Sequence, residues 1–289
     1  MEDITLQCDN LLATDVGPAR MRKGTSELTD PTSELVRYGD SAGVATITLD
    51  SPANRNALSQ ALMSQLSGHL ASALDDKAVR VIVLTHTGRV FCAGMDLSEA
   101  RGAGASDMGV HAFPEILQTL WDSPKPVVAR VAGPARAGGV GLIAACDLAV
   151  CARSATFAFT EVRLGIIPAV ISVTVLPRLN PRAAHELFLT GSVFDGIRAA
   201  EIGLVSAAVE DDELNAATAS YVADLVKGGP IALAATKTLL RRTPAATMSE
   251  DFAELLATSA QFFASDEGQE GIRAFGEKRP PRWVSEGTE

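Results

Sequence analysis

Four cysteines (Cys8, Cys92, Cys146 and Cys151) occur in 289 residues, and no two form a CxxC pair, which suits reduced thiols in a reducing compartment better than a disulfide framework. The four histidines, His69, His86, His111 and His185, are scattered, leaving no spacing for structural zinc. Positive charge is in the minority: 25 Lys and Arg against 35 Asp and Glu give a net charge of -10, which as a whole repels nucleic acid and anionic membrane. Long apolar runs are missing too. The uncharged apolar stretch Leu164 to Pro177 has 14 residues and contains Pro168, whereas spanning a bilayer takes roughly 20 apolar residues. The opening Met1-Glu2-Asp3 has neither the positive region nor the apolar run of a secretory signal, so the expected compartment is the cytoplasm. With 24 glycines, 14 prolines and no visible repeat, low-complexity and solenoid classes drop out. What is present, 47% hydrophobic and 21% charged residues, can bury a core in one large domain or two modest ones.

Residues 1–31 carry Asp15, Gly17, Pro18, Arg20, Arg22, Lys23, Gly24 and Pro31 among few periodic apolar positions, the pattern of an N-terminal arm. Leu35 to Tyr38 and Val44 to Leu49 are β-prone runs separated by Gly39–Gly43, a hairpin that ends before Pro52. Leu58, Leu62, Leu66 and Leu70 recur every four residues, with Met63 and Leu74 beside them, which predicts an amphipathic helix; His69 flanks its stripe and takes no catalytic role. Val81 to Leu84 and Val127 to Val131 read as strands covered on both faces. Leu148 to Ala152, Phe157 to Phe159 and Val205 to Val209 add strands that alternate with helical stretches at 181–190 and 197–202, so the class is α/β. After Glu210 the pattern is helical, with helices expected near 213–227, 230–242, 248–263 and 266–276. The expected regions are an arm (1–31), an α/β core (32–210) and a C-terminal helical layer (211–289) of the kind on which subunits pack.

Two glycine-containing turns each follow an apolar strand: Phe91-Cys92-Ala93-Gly94-Met95-Asp96 and Gly133-Pro134-Ala135-Arg136-Ala137-Gly138-Gly139-Val140-Gly141. Small residues let backbone N–H groups approach a ligand, and a helix opening near Gly139 aims its positive end at the same place, which is how an oxyanion pocket is made. Gly139-Val140-Gly141-Leu142-Ile143-Ala144 matches GxGxxA, with Glu161 about twenty residues later. A dinucleotide loop, however, needs its first glycine at the strand's end, and here Gly133 to Gly138 intervene after Val131. No GxSxG elbow, HExxH, EF-hand loop or Ser/His triad signature occurs. What remains is Glu161, a charge amid the apolar stretch Phe157 to Pro168. On a surface it is an ordinary glutamate, paired with Arg163; facing an apolar pocket, it has a pKa raised toward the range useful for proton transfer.

Taken in order, these segments resemble the crotonase, or enoyl-CoA hydratase/isomerase, superfamily over roughly residues 34–283. The resemblance rests on Ile47 to Pro52 leading to Arg55-Asn56-Ala57-Leu58, on Val81 to Leu84 before Phe91 to Leu97, and on Lys125-Pro126-Val127. It continues through Gly133 to Asp147, Glu161 to Pro168, Leu189 to Val205, and the ending Glu270-Gly271, Phe275 and Glu277 to Pro280. The resemblance implies a spiral of ββα units with a C-terminal helical layer, assembly as a homotrimer or dimer of trimers, and an acyl-CoA thioester as ligand. It implies no metal and no redox cofactor, coenzyme A entering as part of the substrate. By family position the backbone N–H groups of Met95 and Gly138 hold the thioester oxygen, with Gly94 and Gly139 beside them, and Glu161 is the catalytic carboxylate. The CoA tail is expected along Ala53, Asn54, Arg55 and the Ala93 backbone, with Arg55, Lys278 and Arg279 as candidate phosphate partners.

The chain departs from two-glutamate hydratases at the position three residues after the second oxyanion donor, where Gly141 stands and is expected to leave room for a water. Two reactions stay open. In hydration, water adds to a 2-enoyl-CoA while Glu161 handles protons; in isomerisation, one carboxylate moves a proton from C2 to C4. Hydration is preferred because Gly141 to Asp147, Thr160 to Gly165 and Pro168 to Ser172 look most like hydratases of the methylglutaconyl-CoA and isoprenoid-acid type. By that likeness Arg136 is a candidate partner for a distal substrate carboxylate. A third reading is a crotonase-fold protein that binds acyl-CoA without turnover. Ser98 to Gly109 is expected to shape the acyl pocket, with Glu99, Asp107, His111 and Glu115 as possible second proton-transfer groups.

Overall fold

The computed structural model describes residues 33–99 and 112–284. The architecture below belongs to the unit Glu34–Glu289. The arm expected over residues 1–31, Asp107 and His111 lie outside the described residues, as does most of Ser98–Gly109.

Strands β1 (Val36–Ser41) and β2 (Val44–Leu49) pair antiparallel with Ser41 opposite Val44, so their turn is Ala42-Gly43 alone, at φ 50° and 80°. Gly39–Ser41, expected in the loop, is therefore strand: a two-residue turn with both φ positive matches the twist of its flanking strands. Along β2, fully buried Ala45, Ile47 and Leu49 alternate with half-buried Val44, Thr46 and Thr48. Helix α1 (Gln60–Asp75) begins where the Ser59 hydroxyl accepts the Leu62 N–H at 3.2 Å. It buries Leu62, Met63, Leu66, Leu70 and Ala73, each large side chain contributing about 1.5–3 kcal/mol. The crossover through α1 makes the next strand, β3 (Val81–His86), parallel to β2.

Beyond it come α2 (Ala112–Asp122), β4 (Val127–Val131), β5 (Ala135–Arg136), α3 (Gly138–Ala145), β6 (Leu148–Ala152), β7 (Thr156–Ala158) and α4 (Ala169–Val175). Then follow α5 (Pro181–Thr190), β8 (Phe194–Asp195), α6 (Gly196–Glu201) and β9 (Ala207–Val209). One sheet runs β1-β2-β3-β4-β6-β9, parallel after the first pair; a smaller one runs β5-β7-β8. This is the α/β class expected. All eight residues of α3 are buried, which fits its uniformly apolar or glycine sequence and places it between α2 and α4 in the interior.

From Leu214 the described chain is helical: α7 (Leu214–Lys227), α8 (Pro230–Arg241), α9 (Met248–Ala264) and α10 (Asp266–Glu277). Glu267 of α10 caps α8 by accepting the Ile231 and Ala232 N–H groups at 3.0 and 2.8 Å. Lys237 of α8 is buried, its Nζ 2.5 Å from Asp147 Oδ2 and 3.0 Å from the Lys125 carbonyl.

Candidate active site

The loops 91–96 and 133–138 lie side by side because an isolated parallel bridge joins Cys92 to Ala135, and a second ties Met95 of the first loop to Leu58. Leu58 donates to the Gly94 carbonyl at 2.8 Å and accepts the Asp96 N–H at 3.2 Å. In a parallel bridge the middle residue's own N–H points away from the partner, and among the described residues the Met95 N–H has no acceptor. The second loop ends at Ala137, whose φ of 47° and ψ of -116° are rare for a residue with a Cβ and start α3. The Ala137 N–H is held by the Ala158 carbonyl at 3.1 Å; that of Gly138, the first residue of α3, has no acceptor among the described residues. Gly94 needs φ +92°, and a Cβ placed on it meets Ala137 Cβ at 3.1 Å, the Arg136 carbonyl oxygen at 3.2 Å and the Gly138 nitrogen at 3.6 Å. Two free amides thus sit on adjacent peptides at the positive end of a buried helix, an arrangement that can hold an oxyanion.

Glu161 enters from the same end. β5 and β7 are parallel, with Arg136 opposite Ala158, so the chain leaving β5 into Ala137–Gly138 and the chain leaving β7 into Thr160–Glu161 exit together. Glu161 opens a single 3-10 turn (Glu161–Leu164) that Gly165 ends at φ 73°. It is 8% exposed, and its Oε2 has no hydrogen-bond partner among the described residues. Burial raises its carboxyl above the ordinary value, offset in part by its own backbone N–H. A buried, unpartnered oxygen costs about 1–3 kcal/mol, which is the kind of strain found where a group is kept for chemistry.

Asn56 was not singled out from sequence, and it fixes the first loop. Fully buried at φ 53°, it accepts the Ser51 N–H at 2.7 Å and donates from Nδ2 to the Val90 and Thr87 carbonyls at 2.8 and 3.1 Å. Asn56→Ala removes three hydrogen bonds to backbone groups and is expected to destabilise the fold by about 3 kcal/mol, read by urea denaturation. A loss under about 1 kcal/mol contradicts this role. Ala53 and Arg55 are exposed beside this pin, and the Ala93 N–H donates to the Arg55 carbonyl at 3.1 Å, so both lie along the edge of the first loop.

Other expected residues are engaged elsewhere. The Arg136 guanidinium runs back along β7, donating to the Thr156 carbonyl at 2.6 Å, its hydroxyl at 3.0 Å and the Ala135 carbonyl at 2.9 Å. It clips β5 to the start of β7. Gly141 leaves no room for a water: a Cβ there would lie 2.6 Å from Ile171 Cγ2, because α4 packs on α3 and fills that space. Gly139 is needed for packing, a Cβ on it falling 2.6 Å from the Cys92 carbonyl oxygen. Glu99 accepts the Gln60 N–H at 3.0 Å, capping α1. Arg279 forks onto Glu270 at 2.7 and 3.2 Å and onto Glu277 at 2.6 Å, so its head is occupied within α10 and holds Glu270 down to about 2.

Residues 39–286 match the enoyl-CoA hydratase/isomerase family. A methylglutaconyl-CoA hydratase of Mus musculus is 31% identical over 288 residues, 94% of this chain and 92% of that protein. A carnitinyl-CoA dehydratase of Citrobacter koseri is 32% identical over 87% of this chain and 98% of its own. Among solved structures, an enoyl-CoA hydratase of Mycobacterium smegmatis has a TM-score of 0.80 at 32% identity, covering 88% of this chain and all of that one (100%). An enoyl-CoA hydratase of Mycobacterium avium is 45% identical, with a TM-score of 0.66, over 87% of this chain and 100% of its own. The fold, the order of the two loops and these matches together place the chain in the crotonase, or enoyl-CoA hydratase/isomerase, family.

Proposed function

We propose that the protein hydrates a 2-enoyl-CoA thioester, with the thioester oxygen held by the Met95 and Gly138 amides and Glu161 as the sole proton-transfer group. The carrying observation is that the Met95 and Gly138 amides and the buried Glu161 Oε2 are all unpartnered among the described residues, with Gly138 and Glu161 on the segments that follow the parallel pair β5 and β7. As a carboxylate, Glu161 takes a proton from water while the water oxygen bonds to C3. The C2=C3 electrons move onto the thioester oxygen as an enolate, and Glu161 then returns the proton to C2. One oxyanion donor contributes roughly 3–4 kcal/mol to such a transition state. The scheme requires neither metal nor redox cofactor, and coenzyme A is part of the substrate. Its tail is assigned to Ala53, Arg55 and the Ala93 backbone, which border the first loop.

Ile171 favours a second reading. With its methyl carbon against Gly141, no polar group stands there to activate water, and Glu161 alone suffices to carry a proton from C2 to C4 of an unconjugated enoyl-CoA. Mass spectrometry of products from conjugated and unconjugated enoyl-CoA esters separates the two. Gain of one water supports hydration; a mass-neutral product with a moved double bond overturns it in favour of isomerisation.

Assembly as a homotrimer or dimer of trimers, in the cytoplasm, belongs to the same proposal. Helix α9 buries none of its residues, yet exposes Met248, Phe252, Leu256 and Phe263. Light scattering is expected to give three or six chain masses, falling to lower order in Phe252→Asp/Leu256→Asp. A monomer at micromolar concentration contradicts this assembly.

A further inference from the structure

His86 was given no role by the sequence, and the reaction scheme leaves it unused. It ends β3 and is 8% exposed. Its Nε2 lies 3.1 Å from the Ala132 backbone nitrogen, which donates, so Nε2 carries the lone pair; Nδ1 then carries the proton, 3.2 Å from the Thr87 carbonyl. The ring stands edge-on to Phe91 at 5.4 Å and 75°. On the other side a Cβ at Gly133 would fall 3.5 Å from His86 Cε1 and 2.2 Å from the Arg89 carbonyl oxygen. One neutral imidazole therefore touches both loops: the one from Thr87 to Met95 and the one from Ala132 to Gly138.

We infer that His86 is a positioning residue that sets the spacing of the two amide-bearing loops, and that protonating it loosens them. The inference rests on the reading of Met95 and Gly138 as oxyanion donors. An imidazolium presents N–H at Nε2 to the Ala132 N–H, so two donors face each other and the link between the loops is lost. Among charged groups on neighbouring elements, Arg130 of β4 disfavours the imidazolium. Arg89 lies on the following loop, and Asp50, after β2, is taken up by Arg37 and the Thr87 hydroxyl. Burial acts in the same direction as Arg130, holding His86 below its ordinary value.

The test compares His86→Phe, which keeps ring volume without an acceptor, with His86→Gln, whose side-chain oxygen can still accept the Ala132 N–H and does not titrate. His86→Phe is expected to lose about tenfold to hundredfold in kcat with KM little changed, since a displacement near 1 Å is worth about a hundredfold. His86→Gln is expected to recover most of kcat, and the effect of protonation is read by amide exchange, because Glu161 imposes an acid fall in rate of its own. Wild-type kcat in His86→Phe, or equal losses in the two variants, overturns the inference. Amide hydrogen exchange read at Ala132, whose N–H donates to His86, and at Arg136, whose N–H donates to the Cys92 carbonyl of the other loop at 3.0 Å, keeps it testable whatever the substrate, and if His86→Phe does not fold. Protection at both, corrected for intrinsic rate, should fall on acidification in the wild-type chain and hold in His86→Gln; equal behaviour of the two chains overturns it. Wild-type inactivity on every enoyl thioester, by contrast, sinks the donor reading while the exchange result still judges the spacing role.

Discussion

Glu161→Gln is expected to lower kcat about 10³-fold with KM little changed, because the amide fills the same space but takes no proton. The same variant should be no less stable. The folded carboxyl titrates above its unfolded value of about 4.3, so the folded chain binds the extra proton between those two values. Wild-type stability from this group is present below about pH 4.3 and is lost as pH rises through the raised folded value. At neutral pH the buried carboxylate therefore costs stability, and Glu161→Gln melts at or above the wild type, with the gap closing as pH falls. The rate has the opposite sign: kcat/KM of the wild type should fall as pH drops through the raised value, since the carboxylate starts the reaction. A melting temperature of Glu161→Gln well below the wild type at neutral pH contradicts this account of the site's strain.

Gly139→Ala carries the second large effect. The added methyl lies 2.6 Å from the Cys92 carbonyl oxygen and 2.8 Å from Cys92 Cβ, and a backbone oxygen cannot rotate out of the way. The first turn of α3 must retreat from the first loop, taking the Gly138 N–H with it. A loss of about 10² in kcat is expected, with about 1–3 kcal/mol of overpacking strain, read by steady-state kinetics and urea denaturation. The control is Gly68→Ala on the exposed side of α1, where a Cβ meets nothing within 4 Å. That change should leave kcat alone and add up to about 1 kcal/mol from helix propensity. Equal kinetics for Gly139→Ala and Gly68→Ala contradict the proposed dependence on amide spacing.

Local chemistry explains which parts of this structure could be read from sequence. The C-terminal helices follow their expected spans within two residues because each start and stop is a nearby signal: Pro230, the Thr247 and Ser265 caps, and the αL residue Lys278. Pro114 falls near the start of α2, where a missing N–H does no harm. Glu161 stood out because a lone charge in an apolar run is unusual, and burial is the outcome. Asn56 and His86 did not, since their roles come from carbonyls and amides 31 to 46 residues away. Arg136 and Arg279 are a different case. A cation near a motif suggests a ligand, yet neighbouring carbonyls and carboxylates engage both. The wall that Ile171 builds against Gly141 is likewise a contact between helices, invisible to spacing.

Deuterium uptake at C2 of a saturated acyl-CoA in heavy water tests the central claim most directly, because it asks only for enolate formation and not for water addition or a moved double bond. The wild-type chain should exchange the C2 proton, and Glu161→Gln should not. A chain that binds the thioester but leaves its C2 proton unexchanged, or a Glu161→Gln variant that exchanges it at the wild-type rate, would contradict the account.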